Sequence, residues 1–259
     1  MLSDWSDLFN HAKSPWRRLR REVLACAVAA LALLAPAEAH AAPLLFYAGD
    51  LDLSNNPAGL SNERHTFVPE ANVYQNFIVP LGETWHVTSL FSNDLVTPGT
   101  SFASADWFIR SGVSSGNAGT LIAGGNSPVT ITPTGRPFPG SIEDTFQVGG
   151  LSINLAPGTY WMNVTPVGTG SGRSFNSNTF GLNAVGSEIT NDQFFNSTFF
   201  GDHFTPALFP FPEFSDGVGG SVTPEPNSLT LFLMAIACIV YHGCSKRLRL
   251  LRSATAVLQ

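Results

Sequence analysis

Cysteine is missing from the whole middle of the chain: of 259 residues only Cys26, Cys238 and Cys244 are cysteines, all in apolar terminal segments. Disulfides, Cys-ligated zinc and thiol nucleophiles are thereby excluded from the stretch between them. Lysine is also absent from residues 42–222, where four Arg stand against fourteen Asp and Glu for a formal charge of −10. Phosphate contact needs clustered cations, so no nucleic-acid partner is expected. Charge of either sign is sparse at 12% of residues, while Gly and Pro number 24 and 18. Long solvated helices need Ala, Glu, Lys and Arg in quantity and are not expected here. The chain is instead apolar enough, at 44% hydrophobic residues with 20 Phe, to bury a core.

Both ends carry address-like patterns. Arg17, Arg18, Arg20 and Arg21 precede the uninterrupted apolar run Val23 to Ala35. A run of that length matches the core of a signal peptide and falls short of the roughly 20 residues a spanning helix needs. Ala37-Glu38-Ala39 and Ala39-His40-Ala41 both have the small-x-small form that signal peptidase cuts, and residues 1–41 are read as a signal helix cleaved after Ala41. Arg20-Arg21-Glu22-Val23-Leu24 loosely fits a twin-arginine signal; the general secretory route is the expected one.

At the C-terminal end Pro224-Glu225-Pro226 precedes the apolar segment 229–244, a candidate transmembrane helix, and then Lys246, Arg247, Arg249 and Arg252. A turn, an apolar segment and a cationic stop in that order hold the basic residues on the cytoplasmic side and leave the central domain outside. This tripartite tail, residues 223–252, resembles the PEP-CTERM sorting signal, most closely over Val222-Thr223-Pro224-Glu225-Pro226-Asn227-Ser228-Leu229. The resemblance implies recognition by exosortase, a membrane-embedded cysteine protease, cleavage near Pro-Glu-Pro, and transfer to the cell surface or exopolysaccharide layer. Relative to that pattern, glycine is missing from the apolar segment until Gly243, and a tail of residues 253–259 follows Arg252.

Between the ends, residues 42–222 read as short period-two runs bounded by Gly, Pro, Asn and Ser. Val73 to Val79 sets Val73, Gln75, Phe77 and Val79 on one face. Thr84 to Phe91, Ala105 to Arg110 and Thr159 to Thr165 alternate likewise, and weaker runs bring the candidates to about ten. Strands so spaced without helices predict an all-β domain, an antiparallel β-sandwich of jelly-roll or Ig-like type. Pro157-Gly158 suits a tight turn where the chain crosses from one sheet to the other. Trp107 to Gly112, Ser171 to Gly181 and Phe194 to Gly201 are similar to a recurrent exported sandwich among PEP-CTERM proteins, which implies no particular activity. Eight phenylalanines between Phe194 and Phe214 must find cover, and a long loop folded over one sheet is the expected arrangement.

Few constellations carry chemistry. Gly112-Val113-Ser114-Ser115-Gly116 matches the hydrolase string G-x-S-x-G, yet loop follows where a nucleophile elbow needs a helix. Asp50 and Asp52 place oxygens at alternate positions, a weak calcium pattern without the bend glycine or closing Glu of a binding loop. Glu143-Asp144 neighbours on a strand point to opposite faces, which does not suit paired acid and base roles. Trp85, Trp107 and Trp161 could stack sugar rings from an exposed aromatic face. The leading expectation is a non-enzymatic structural or interaction protein of the cell surface or extracellular matrix, without cofactor. Its partners would be exosortase, the membrane through the C-terminal helix before processing, and exopolysaccharide. A carbohydrate-binding module and, behind it, a hydrolase are the alternatives.

Overall fold

The computed structural model describes residues 43–53, 58–186, 190–207 and 213–224. Ala39 and Ala41, Glu225 and Pro226, segment 229–244 and Lys246, Arg247, Arg249 and Arg252 lie outside the described residues. The described chain is all-β. Its strands are β1 (Leu44–Tyr47), β2 (Asp50–Leu51), β3 (Gly59–Ser61), β4 (Asn72–Val79), β5 (Glu83–Val96), β6 (Thr100–Ser111), β7 (Thr120–Pro128), β8 (Thr130–Phe138), β9 (Ser141–Leu155), β10 (Gly158–Gly170), β11 (Ser174–Leu182), β12 (Phe194–Ser197), β13 (Asp202–Pro206), β14 (Glu213–Phe214) and β15 (Asp216–Pro224).

Two antiparallel sheets result. The six-stranded sheet runs β13-β12-β4-β10-β6-β7. In the nine-stranded sheet β5 is central: β9 pairs along one edge, with β8 beyond it, and β15 along the other, with β1 beyond that. The edge beside β15 is continued by β11, which pairs with β5 at Asp94 to Val96. Period-two alternation explains why the sheets meet: Trp85, Val87 and Leu90 of β5, Phe146, Val148 and Leu155 of β9, and Val218 of β15 share one buried cluster with Phe77 and Val79 of β4, Ala105, Trp107 and Ile109 of β6, and Met162 and Val164 of β10. Phe77 stacks on Trp85 at 5.9 Å and on Tyr160 at 5.7 Å, joining the sheets through one ring. Pro157 stands in the short link from β9 to β10, hence from one sheet to the other, as the sequence predicted.

The phenylalanine-rich segment departs from the expected loop. Phe194 and Phe195 lie on β12, which adds to β4 through Phe194↔Tyr74 and Phe195↔Val73, and β13 adds to β12. Pairing satisfies backbone groups that a loop laid over a sheet would leave unbonded. The rings divide between two satellite clusters: Phe195 and Phe214 with Val68, Ala71, Val73 and Ala207, and Phe194 and Phe204 with Tyr74, Val113 and Trp161. Phe199 and Phe200, in the β12–β13 turn, remain about half exposed and meet edge to face at 4.8 Å. The sheet also continues past the predicted boundary at residue 222, because β15 pairs through Thr223↔Thr84 and Pro224↔Glu83. Proline gives no amide to the ladder, which suits it to the final position of a strand.

Candidate functional site

Along β5 the inward row changes character: Trp85, Val87 and Leu90 give way to Ser92 and Asp94, all buried. Neighbouring strands supply matching polar groups, since Asp216 of β15 sits across from Ser92 and Asn176 of β11 across from Asp94. One half of the inter-sheet space is therefore apolar and the other a hydrogen-bonded belt. Asn62 Nδ2 donates to Val164 O at 2.8 Å and to the Asp94 carboxylate at 3.1 Å; Ser92 Oγ donates to Val164 O at 3.1 Å, and Ser174 Oγ to Asp94 at 2.9 Å. Farther along, Gln75 donates to the Glu213 carboxylate and accepts from Phe214 N at 2.8 Å, while Thr190 N donates to Glu213 at 2.7 Å. These bonds offset the desolvation that unpaired interior groups would carry.

Charge is the costly component. Burial, then the Asp216 charge, pushes Asp94 well above the usual carboxylate range; burial raises Glu213 and carries Asp216 up to about 8. Asn176 Nδ2 donates to Asp216 Oδ1 at 2.8 Å, and the remaining oxygens of that pair, Asn176 Oδ1 and Asp216 Oδ2, have no hydrogen-bond partner. Both of these oxygens are acceptors, so a protonated Asp216 would bring a donor where none stands. Because Asp94, Asn176 and Asp216 have no exposed surface, the belt acts as an internal lock and offers nothing to a solute.

Two further polar clusters reach the surface. Glu63, itself buried, accepts at one carboxylate oxygen from Ser61 Oγ at 2.7 Å and Arg173 Nε at 2.6 Å, and its other oxygen accepts from Ser174 N at 3.0 Å and meets His65 Nε2 at 2.8 Å. Serine and histidine both address the carboxylate here, so the trio is no nucleophile-base relay. On the outer side of the nine-stranded sheet, Arg136 bridges Asp50 and the buried Glu143. Tyr47 donates to Asp50 at 2.6 Å, and Asn93 Nδ2 donates to Tyr47 Oη at 3.0 Å.

The sugar platform is corrected by burial. Trp85, Trp107 and Trp161 are 4%, 9% and 6% exposed. Their indole N–H groups are used internally, on Glu83 at 2.9 Å, Ser127 Oγ at 3.0 Å and Asp192 O at 2.8 Å. Trp85 and Trp107 belong to the inter-sheet core and Trp161 to the cluster around Phe194, so the three offer no common outward face. Large rings contribute most when removed from water, and alternation placed them inward.

The calcium candidate is corrected by a counter-charge. Burial alone would raise Asp50, but hydrogen bonds from Tyr47 and Asn183 and the Arg136 guanidinium carry it below its ordinary value. The place a cation would take beside Asp50 is filled by that guanidinium, and no group of three or more His, Cys, Asp or Glu among the described residues is arranged to hold a metal. Ser114 is exposed in a tight turn, exchanging backbone hydrogen bonds with Asn117 at 3.1 and 2.8 Å. The glycines of the string, Gly112 and Gly116, have φ +65° and +72°, conformations that glycine adopts without strain, so they serve the turn; Gly119, just beyond, has φ +62°, and a Cβ there would sit 2.1 Å from Ser111 O. Glu143 and Asp144 diverge as expected of strand neighbours, with Glu143 fully buried on Arg136 and Asp144 half-buried.

Of Pro224-Glu225-Pro226, expected from the sequence to be a sorting motif, Pro224 alone falls in the described residues, in β15. Sequence reading missed the Asp94, Asn176, Asp216 and Glu213 belt. Its only trace is that acids and amides, in Ser92-Asn93-Asp94 and Asn176-Ser177-Asn178, continue the alternation where apolar residues had stood. Comparison with known protein families, with characterised proteins and with solved structures finds no match for the chain.

Proposed function

We propose that the chain is an exported, non-enzymatic protein of the cell surface or extracellular matrix, held in the inner membrane by segment 229–244 until exosortase processes it at Pro224-Glu225-Pro226. One observation carries the reading: among the described residues the ladder of β15 on β5 runs through Thr223↔Thr84 to Pro224↔Glu83, so the first residue of the Pro-Glu-Pro motif lies at the end of the domain where β5 begins. In the sequence Glu225 and Pro226 come next, ahead of the apolar segment 229–244. The acidic, lysine-free character of the domain favours solubility outside the membrane. An interaction role is supported by what the surface offers, an edge-to-face pair of half-exposed rings at Phe199 and Phe200. Sugar binding, the alternative, would have to use a surface other than the three tryptophans.

Within the two-sheet class the connectivity favours a jelly roll. Taking β1, β4, β5, β6, β7, β9, β10 and β15 as its eight strands, the orders β1-β15-β5-β9 and β4-β10-β6-β7 interleave early and late strands in both sheets. The short strands, β8 and the nine-residue β11 are then additions to it. The functional reading is tested by replacing both motif prolines with Ala, Pro224→Ala and Pro226→Ala, in a host that carries exosortase. Accumulation of the uncut chain in the membrane fraction is expected, and unchanged release to the surface would refute it.

A further inference from the structure

One end of the sandwich is built from three chain features that meet there. The link Pro80-Leu81-Gly82 joins β4 to β5, and β15 ends opposite its exit through Pro224↔Glu83. The link from β9 to β10 closes beside them through Leu155↔Trp85 and Gly158↔Val79. Leu81 is 95% exposed at the tip of this end, with Ile78 and Val222 partly exposed behind it. A single exposed leucine is ordinary on a soluble protein. Its position gives this one meaning, because Glu83, two residues on, is paired with the residue from which the chain departs towards segment 229–244.

Only residues 225–228 separate Pro224 from Leu229. The five Cα steps from Pro224 to Leu229 cannot span more than about 18 Å even when fully extended. Resting on the reading that segment 229–244 is the membrane anchor, we propose that this end of the domain docks on the outer surface of the lipid bilayer, with the Leu81 side chain in the boundary between headgroups and acyl chains. A tether that short holds the end closer to the bilayer than the domain is long, since β4 alone, eight residues, extends about 26 Å. The Phe199–Phe200 turn lies beyond the opposite end of β4, past Asn196↔Asn72. It therefore points away from the membrane, leaving its rings for a partner outside. The acidic domain would be repelled from an anionic surface, so the contact is apolar and depends on the tether. Cleavage at the motif releases it.

The test uses the chain from Ala42 to Gln259, the form that signal cleavage leaves, with Cys238 and Cys244 replaced by Ala, reconstituted into phosphatidylethanolamine–phosphatidylglycerol vesicles. An environment-sensitive fluorophore is attached at Leu81→Cys in one sample and at Phe199→Cys in another. At position 81, emission shifted to the blue and reduced by roughly half with doxyl-labelled lipids is expected, with neither change at position 199. Equal quenching at both positions, or none at position 81 in a chain that floats with the vesicles, overturns the docking. A chain that fails to float overturns instead the anchor reading beneath it.

Discussion

Replacing Asp216 by Asn should leave the domain as stable in mild acid and make it more stable in mild alkali. In the unfolded chain this carboxyl titrates near 3.8, and in the folded domain burial holds it up to about 8. As pH rises the unfolded state gives up the proton first. The stability this group contributes is therefore full below about 3.8 and is lost progressively until pH reaches about 8. At about 1.4 kcal/mol per unit over about four units, the loss is on the order of 5 kcal/mol, comparable with the whole stability of many domains. Asp94 and Glu213, raised by the same burial, act in the same direction. Asp50, which is lowered, contributes stability above its ordinary pKa of 3.8 and loses it only as pH falls below that, outside the window of interest. The Asp216→Asn side chain can donate to Asn176 Oδ1 and accept from Asn176 Nδ2, closing an amide pair with no proton to lose. Urea unfolding followed by tryptophan fluorescence at pH 5, 6, 7 and 8 reads the difference. The wild-type domain should weaken steadily across that series, and the slope should be visibly shallower in Asp216→Asn. Parallel stability curves for the two proteins would refute the assignment of a neutral, buried Asp216.

Other consequences follow from the packing. Phe77→Ala removes a fully buried ring that stacks on both Trp85 and Tyr160, and a loss of about 3–5 kcal/mol should appear in chemical unfolding. Arg136→Ala leaves the fully buried Glu143 without its guanidinium, and destabilisation by a few kcal/mol that Arg136→Lys only partly restores is expected in thermal melts. Tryptophan emission of the folded domain should be blue-shifted and poorly quenched by iodide, because all three indoles within it are inside; ready quenching would contradict their burial. Gly119→Ala should cost several kcal/mol by forcing φ +62° on a residue whose Cβ meets Ser111 O, whereas Ser114→Ala in the same turn should change thermal stability by less than about 0.5 kcal/mol.

Alternation alone makes the long strands legible in the sequence. Val73 to Val79 and Thr84 to Phe91 differ from β4 and the start of β5 only at their ends, and the Pro157 link lies between sheets as its residue types required. Where inward positions turned polar, the pattern lost its signal: Ser92 and Asp94 sit on the same buried row as Leu90 but fall beyond the run Thr84 to Phe91 that alternation marks. Short strands such as β2, β3 and β14 are fixed by their partners on β11 rather than by their own residues, so two or three positions of alternation could not announce them. The tryptophans misled for a related reason. Their alternation with polar residues was visible, but which side of each strand faces the partner sheet depends on register, and that is a tertiary fact.

The C-terminal residue of the surface form is the most direct measurement of the central claim. Mass spectrometry of the protein recovered from the cell surface, in cells with and without exosortase, should find a chain ending near Pro224-Glu225-Pro226 only when the enzyme is present. Without it the full apolar segment should stay attached and the protein should remain with the membrane. Peptides covering Leu229 to Lys246 in the mature surface protein, at equal abundance in both strains, would show that the tail is a permanent anchor and contradict the account.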